Sequence, residues 1–155
     1  LARATHHNIR LNQETFSLSE ALEMVIDFLE PLAEEREMAI ELNAQGNLTA
    51  DKMLFQRAIT NLLTNAIRYA PGNGTIAVST IQHGNSVEIE VANAGEPLAE
   101  PEKAFERFWR GDNVRHTAGS GLGLSLVSAI AALHGGSAYY RHAQGKNIFG
   151  LRLPS

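Results

Sequence analysis

Gly119-Ser120-Gly121-Leu122-Gly123-Leu124-Ser125-Leu126 carries three glycines at alternate positions and runs straight into an apolar segment, residues 122–134, that reads as a buried helix. Glycine has no Cβ, so backbone N–H groups in such a loop can approach a ligand closely. The helix N-terminus behind it adds free N–H donors and the positive end of the helix dipole. Together these suit an anion, most often a phosphate. The run also bears on the fold. In a doubly wound nucleotide-binding sheet the glycine loop follows a strand directly. Here it follows residues 93–120, a stretch in which no regular period dominates.

Working outward from that stretch, two strands are expected on either side of a turn at His83-Gly84-Asn85-Ser86. Val87, Ile89 and Val91 alternate with Glu88 and Glu90, so one face packs and the other is wet. Before them, Asp51 can cap a helix to about residue 69, ended by Pro71-Gly72-Asn73-Gly74. On it Phe55, Ile59, Leu62, Leu63 and Ala66 share one face. Asn61, Asn65, Arg68 and Tyr69 lie roughly opposite, by the 3.6-residue period. Earlier still, Ser17 or Ser19 can cap a helix to about residue 37, with Leu22, Val25, Ile26 and Leu29 at helical spacing and Pro31 as a candidate kink. Residues 38–42 read as a short strand, and residues 1–15 as the tail of an upstream helix or a linker. Downstream, Gly135-Gly136 can cap the helix after the glycine run. Strands near 137–141 and 147–153 form a hairpin around Ala143-Gln144-Gly145-Lys146. Hairpin-paired strands with helices over one face make an α/β sandwich of two layers.

Composition narrows the function. The 155 residues suffice for one domain with a real core, and 44% hydrophobic against 19% charged is globular. A net charge of −4 argues against nucleic acid as a partner. Without cysteine there is no disulfide scaffold and no thiolate metal site. The six histidines are scattered, with only His6-His7 adjoining, and form no metal pattern. No apolar run approaches the roughly 20 residues of a membrane span. Leu1-Ala2-Arg3 reads as a cut into a longer protein. A P-loop would need a Lys after the glycines, and a serine hydrolase a Gly-x-Ser-x-Gly elbow; neither is present.

Three further stretches can carry chemistry. In Asn-Leu-Leu-Thr-Asn-Ala-Ile-Arg-Tyr, Asn61 and Asn65 stand at i and i+4 and point the same way. An Asn carbonyl is a hard oxygen ligand, suited to a Mg²⁺ that also holds phosphate oxygens. Arg68 can meet a phosphate and Tyr69 can stack on a base; a plain solvated helix face fits the same residues. Val91-Ala92-Asn93-Ala94-Gly95-Glu96-Pro97 ends a strand. Asn93 can read an adenine amino group with its carbonyl, and Gly95 lets a base lie against the backbone. A simple Asn-x-Gly turn is the alternative. In Phe105-Glu106-Arg107-Phe108-Trp109-Arg110-Gly111-Asp112, aromatics in a polar loop need somewhere to pack. Arg107, Arg110 and Arg115 add positive charge to an acidic chain. Arginine clamps phosphate well, though a loop pinned by its aromatics, with solvated arginines, fits equally.

The four motifs occur in an order that resembles the ATP-binding catalytic domain of sensor histidine kinases, within the superfamily shared with Hsp90, gyrase B and the mismatch-repair ATPases. Across residues 16–155, residues 61–69 resemble the N box, Asn93-x-Gly95 the first glycine box, residues 105–108 the F box and residues 119–124 the second glycine box. The resemblance implies a Bergerat-type ATP-binding fold: a mixed sheet covered by helices on one face, with residues from about 98 to 120 as a long ATP lid. It implies ATP and Mg²⁺ as cofactors. Asn65 would ligate Mg²⁺, Asn61 would sit near the phosphates, and Tyr69 would flank the adenine met by Asn93 and Gly95. Arg110 would be the lid's phosphate contact. Arg68, Gly119, Gly121, Leu122, Gly123 and Leu124 would complete the ATP site. Three positions depart from the family: Asn93 stands for the usual Asp, Pro97 for a Gly, and Asn147 for a Thr or Ser.

Hydrolysing members of the superfamily carry a Glu four positions before the metal Asn as base for water. That position is Asn61 here, and an amide cannot be a general base. The resemblance therefore implies a protein histidine kinase that transfers the γ-phosphate from Mg-ATP to a histidine on an upstream dimerisation domain. The alternatives are a slow ATPase and a non-catalytic ATP-sensing module. His6 and His7 lack the acidic residue and Pro that follow the family's acceptor, so this stretch contains no catalytic residue of its own and should not autophosphorylate alone. The implied partners are the parent's own dimerisation and phosphotransfer domain and a response regulator, with no nucleic acid. The parent would be a homodimer and this stretch a monomer. Pro101-Glu102-Lys103, then Arg107-Phe108-Trp109-Arg110-Gly111-Asp112-Asn113 and Arg115-His116, is similar to copper and silver sensor kinases of Gram-negative bacteria. That implies a metal-responsive parent in the inner membrane, with this domain cytoplasmic.

Overall fold

Ser17 sets the first junction of the structure, a computed structural model that describes residues 10–106 and 123–155. Strand β1 (Gln13–Ser17) passes directly into helix α1 (Leu18–Glu35). At the join Ser17 is extended, and its hydroxyl accepts from the Glu20 N–H at 3.2 Å. This satisfies one of the free donors of the first turn. Leu18, Ala21, Leu22, Val25, Ile26, Leu29 and Ala33 form the buried face, and the helix continues through Pro31. Strand β2 (Ala39–Asn43) and strand β3 (Asn47–Asp51) lead to helix α2 (Lys52–Tyr69). The Asp51 carboxylate accepts from the Leu54 N–H at 3.1 Å and from the Asn12 N–H at 3.0 Å. It therefore caps α2 and pins the incoming chain at once.

Strands β4 (Thr75–His83) and β5 (Ser86–Ala94) follow, then a single 3₁₀ turn, Pro101–Lys103. Helix α3 (Gly123–Leu133) and strands β6 (Ser137–Ala143) and β7 (Lys146–Pro154) complete the described chain. The main sheet has the order β2-β4-β5-β7-β6, with β2 parallel to β4 and the other neighbours antiparallel. Val87, Ile89 and Val91 of β5 lie opposite Leu153, Leu151 and Phe149 of β7. These side chains join Ile76, Val78, Leu22, Phe55, Ile59, Leu62, Leu63, Val127 and Ile130 in one core. The three helices thus share one face of a mixed five-stranded sheet, the two-layer α/β arrangement expected from the sequence.

Two elements differ from that expectation. Residues 13–15, read as part of a helix tail or linker, are in β1, and β3 was not foreseen. The two strands form a separate antiparallel ribbon. Thr15 and Thr49 share a hydroxyl–hydroxyl hydrogen bond at 2.7 Å, and the Phe16 ring tilts against Phe55 at 5.5 Å. β1 is polar apart from Phe16 and has no period, and β3, though Leu48 and Ala50 alternate inward with Asn47 and Thr49 outward, is only five residues long. Their pairing, not their sequence, makes them strands.

The helix expected over 122–134 is α3, but its fully buried side chains are only Val127, Ile130 and Ala131. Its end is the predicted glycine cap. Gly135 takes φ +78°, its N–H donates to the Ala132 carbonyl, and the Gly136 N–H donates to the Ala131 carbonyl at 2.8 Å. Beside the cap, His134 donates from Nδ1 to the Ile130 carbonyl and accepts the Asp51 N–H on Nε2. That joins the end of α3 to the start of α2. Among the described residues no helix is long and apolar enough to cross a membrane.

Candidate nucleotide site

Helix α2 holds Asn61 and Asn65 half-buried, one turn apart. The Asn61 amide donates from Nδ2 to the Gly123 carbonyl at 3.2 Å. The amide row therefore meets the last of the three glycines at the first residue of α3, which the sequence could propose only by motif order. The Asn65 amide has no hydrogen-bond partner among the described residues. A half-buried amide oxygen without a protein donor is available to a hard cation, so Asn65 fits the chemistry of a Mg²⁺ ligand. Arg68 and Tyr69 are exposed in the last turn. There the Arg36 guanidinium, from the end of α1, donates to the Ile67 carbonyl and to the Arg68 carbonyl. It satisfies carbonyls that the helix cannot and fixes the turn that displays the two side chains.

On the other side, Asn93 is the last residue but one of β5 and is only 7% exposed. Its Nδ2 donates to the Ala94 carbonyl at 3.0 Å, which leaves Oδ1 as the acceptor end of the amide. Gly95 follows where there is little room for a side chain: a Cβ there would lie 2.9 Å from Asn147 Nδ2. The β6–β7 hairpin clasps the segment that leaves this point. His142 donates to the Gly95 carbonyl at 2.8 Å, and Asn147 Nδ2 to the Glu96 carbonyl at 2.9 Å. The Tyr140 hydroxyl donates to Asn147 Oδ1 and accepts the Leu98 N–H at 3.0 Å. Pro97 sits in the middle of this clasp, where its missing N–H leaves no donor to satisfy.

Sequence reasoning missed Tyr140 and His142, and noted Asn147 only as a departure. Nothing near them in sequence marks the role, which arises because β7 pairs with β5 to set Asn147 opposite Asn93. Phe105 reaches the same region. Its ring meets Phe149 edge-on at 6.3 Å, and Phe149 in turn packs against Tyr140 at 5.0 Å. The aromatic start of the expected lid is thus anchored under the clasp. Leu124 packs against the core from the first turn of α3. Arg110, Gly119, Gly121 and Leu122, and the expected lid from residue 107 onward, lie outside the described residues.

The opposite face of the sheet carries a separate polar ladder. Glu88 on β5 accepts from Arg152 Nε on β7 at 2.8 Å and lies 3.1 Å from His83 Nε2 on β4. Glu90 accepts from the Tyr139 hydroxyl at 2.6 Å and from Arg141 at 3.1 Å, both on β6. Burial alone pushes the Glu88 carboxyl upward. The hydrogen bonds and charges of Arg152 and His83 together outweigh it and hold the carboxyl below its usual range. Burial, reinforced by the hydrogen bond and charge of Glu90, pushes the Tyr139 phenol up. The ladder ties four strands, β4, β5, β6 and β7, together on the face away from the helices.

Residues 50–155 match the model of the family described as histidine kinase-, DNA gyrase B-, and HSP90-like ATPases. The sensor histidine kinase HprS of Escherichia coli K12 is 45% identical over 155 residues, covering 99% of this chain and 34% of that protein. The sensor protein CzcS of Cupriavidus metallidurans is 38% identical over 159 residues, covering 99% of this chain and 33% of that protein. The chain therefore spans about a third of the length of these curated relatives. The solved catalytic domain of the histidine kinase ThkA superposes with a TM-score of 0.83 at 25% identity, covering 93% of this chain and 96% of that one. Fold, motif order and family match agree: the chain belongs to the histidine kinase-, DNA gyrase B- and HSP90-like ATPase family.

Proposed function

We propose that this chain binds Mg-ATP and presents the γ-phosphate to a histidine on a dimerisation domain elsewhere in the same longer polypeptide, as the kinase part of a two-component sensor. The observation that carries the reading is the pair of amides on α2. Asn61 is hydrogen-bonded to the Gly123 carbonyl, and Asn65 is left without a partner among the described residues. Asn65 would hold the Mg²⁺, which when bound supplies positive charge to the phosphate oxygens. Neither amide can take a proton from water, so hydrolysis is slow and the phosphate is kept for transfer. Asn93 would accept the adenine amino group on Oδ1, and the clasp of Tyr140, His142 and Asn147 would keep the base's floor in place. Arg110 and residues 119–124 would close over the triphosphate, with Arg68 and Tyr69 at the rim. Positioning and charge neutralisation supply most of the catalysis in such transfers.

The unit proposed as nucleotide-binding is residues 16–155, extended to Gln13 by β1. The further reading is of a homodimeric parent in the bacterial inner membrane, responsive to a metal ion and passing phosphate to a response regulator. It rests on the likeness of residues 101–116 to copper and silver sensors. Calorimetry tests the core of the proposal. The chain should bind ATP in the presence of Mg²⁺, and Asn65→Ala should weaken binding at least tenfold. Radiolabel from ATP should not appear on the chain alone, and should appear on a histidine of the longer polypeptide. Absence of ATP binding, or fast hydrolysis abolished by Asn65→Ala, would overturn it.

A further inference from the structure

Arg36 stands just past the end of α1, and its place is set by the way that helix closes. The Met38 N–H donates to the Ala33 carbonyl and the Glu37 N–H to the Glu34 carbonyl, both at 2.9 Å. This double closure is usually made around a glycine in the left-handed conformation. Here Glu37 takes that position, with φ +57°. A side chain there is crowded against the following carbonyl, and such strain persists where the surroundings over-determine it. Met38, buried in the core, supplies the apolar anchor of the closure. The strained turn delivers the Arg36 side chain to the end of α2. Its Nη1 donates to the Ile67 carbonyl and to the Arg68 carbonyl, the second at 3.0 Å. The last four carbonyls of a helix have no partner within it. The Ala70 N–H, on the Ala66 carbonyl, makes the last bond of the α2 ladder, so Ile67 and Arg68 depend on Arg36. The turn after α2 wraps the same residue. The Asn73 N–H donates to the Arg36 carbonyl at 3.1 Å, and a Cβ on Gly72 would lie 3.2 Å from that carbonyl and 3.8 Å from Nη2. Half-buried Arg36 forms no ion pair among the described residues. Its charge faces the negative end of the α2 dipole instead.

We propose that Arg36 is a positioning residue for the nucleotide: by capping α2 from the end of α1, it holds Arg68 and Tyr69 in the geometry that the rim of the site needs. The inference rests on the reading of this chain as one that binds Mg-ATP. A helix that loses its cap frays from the end inward. The turn exposed to fraying is residues 66–69, which carries both rim side chains and begins directly after Asn65. Arg68 and Tyr69 are exposed, so their own packing contributes little to holding that turn. Its order comes from the two bonds to Arg36 and from the neighbours Ile67 and Ala70 in the core. A guanidinium suits the task better than an ammonium, because its planar fork presents two donors at once and loses less freedom per bond. Arg36 spends those donors on main-chain carbonyls, so it acts on the nucleotide through the side chains it positions.

A double-mutant cycle on ATP affinity, measured by calorimetry with Mg²⁺ on the 155-residue chain, tests this. Arg36→Met removes the donors and keeps an unbranched stem; it should weaken ATP binding at least fivefold. Arg36→Lys, which serves the two carbonyls less well, should fall between Arg36→Met and wild type. The pair Arg68→Ala/Tyr69→Ala should itself weaken binding at least fivefold. Adding Arg36→Met to that pair should cost less than a further twofold, because the side chains through which Arg36 acts are gone. A general loss of folding stability would not vanish in that background. Should Arg36→Met fail to fold by circular dichroism, Arg36→Lys decides the same cycle, by a threefold loss that the Arg68→Ala/Tyr69→Ala background abolishes. Undiminished affinity in Arg36→Met would overturn the proposal and leave Arg36 as part of the scaffold. The same loss with and without Arg68 and Tyr69 would overturn it as well, and so would a pair variant that binds like wild type. A wild-type chain that binds no ATP overturns the nucleotide reading and this inference with it, whereas wild-type binding with additive losses overturns the inference alone.

Discussion

Tyr140 shows how one hydroxyl can govern a site it does not enter. It donates to Asn147 and accepts the Leu98 N–H, so it closes the clasp around the segment that follows Asn93 and Gly95. Tyr140→Phe keeps the ring packed on Phe149 and leaves the Asn147 carbonyl oxygen and the Leu98 N–H unpaired in a half-buried place. The cost to folding should be about 1–3 kcal/mol, the usual penalty of stranding buried partners. Urea denaturation measures it, and ATP affinity in calorimetry should fall with it; an unchanged midpoint and affinity would show that the clasp is ornamental. The residue also marks a limit of reading the sequence. Asn61, Asn65, Asn93 and Gly95 could be nominated from the sequence because the chemistry proposed for them is local, an amide or a bare backbone at a fixed spacing. Tyr140 and His142 were not, because their partners lie about forty to fifty residues away and come into reach only through strand pairing.

At the level of elements, strand β5 was the most readable segment and the ribbon of β1 and β3 the least. Alternation of Val87, Ile89 and Val91 with Glu88 and Glu90 announces two faces of β5, and the core takes one as expected; the other, expected to be wet, is not, because Glu88 and Glu90 are 8% and 7% exposed beneath their partners in the polar ladder. In β1 only Phe16 is buried, so no alternation is there to find. The ladder makes a prediction about pH. The Glu88 carboxyl is held below its ordinary value of 4.5 in the folded chain. The folded state therefore binds this proton less readily than the unfolded state does. The resulting stability is present above that ordinary value and is lost as pH falls through the lowered one. Glu88→Gln keeps an acceptor for Arg152 and removes the charge. The stability gap between wild type and variant should be full at pH 7 and shrink steadily on acidification below about 4.5. Urea melts from pH 7 to pH 3 measure the gap, and parallel curves throughout would show that Glu88 gains nothing from its ionised form.

For the whole molecule the fold separates scaffold from site. The core is built from the inner faces of β4, β5 and β7 and the buried faces of the helices, while Asn65 stands at its margin without a partner among the described residues. Removing the Asn65 amide should therefore leave the scaffold nearly as stable as before. Asn65→Ala without nucleotide should melt within about 2 °C of wild type, because a surface or marginal change outside any network typically costs under ~0.5 kcal/mol. A ligand that binds only the folded chain stabilises it by mass action, about 2.7 kcal/mol at a concentration one hundred times its Kd. For a domain of this size that is a rise in Tm of roughly 5–10 °C. Wild type should show such a rise in Mg-ATP at that excess, and Asn65→Ala, bound at least tenfold more weakly, should lose about half of it or more at the same concentration. If both proteins rise equally, the nucleotide is held without the α2 amide. If the variant is already unstable without nucleotide, Asn65 belongs to the scaffold, and its half-buried amide has a structural partner that the site reading overlooks.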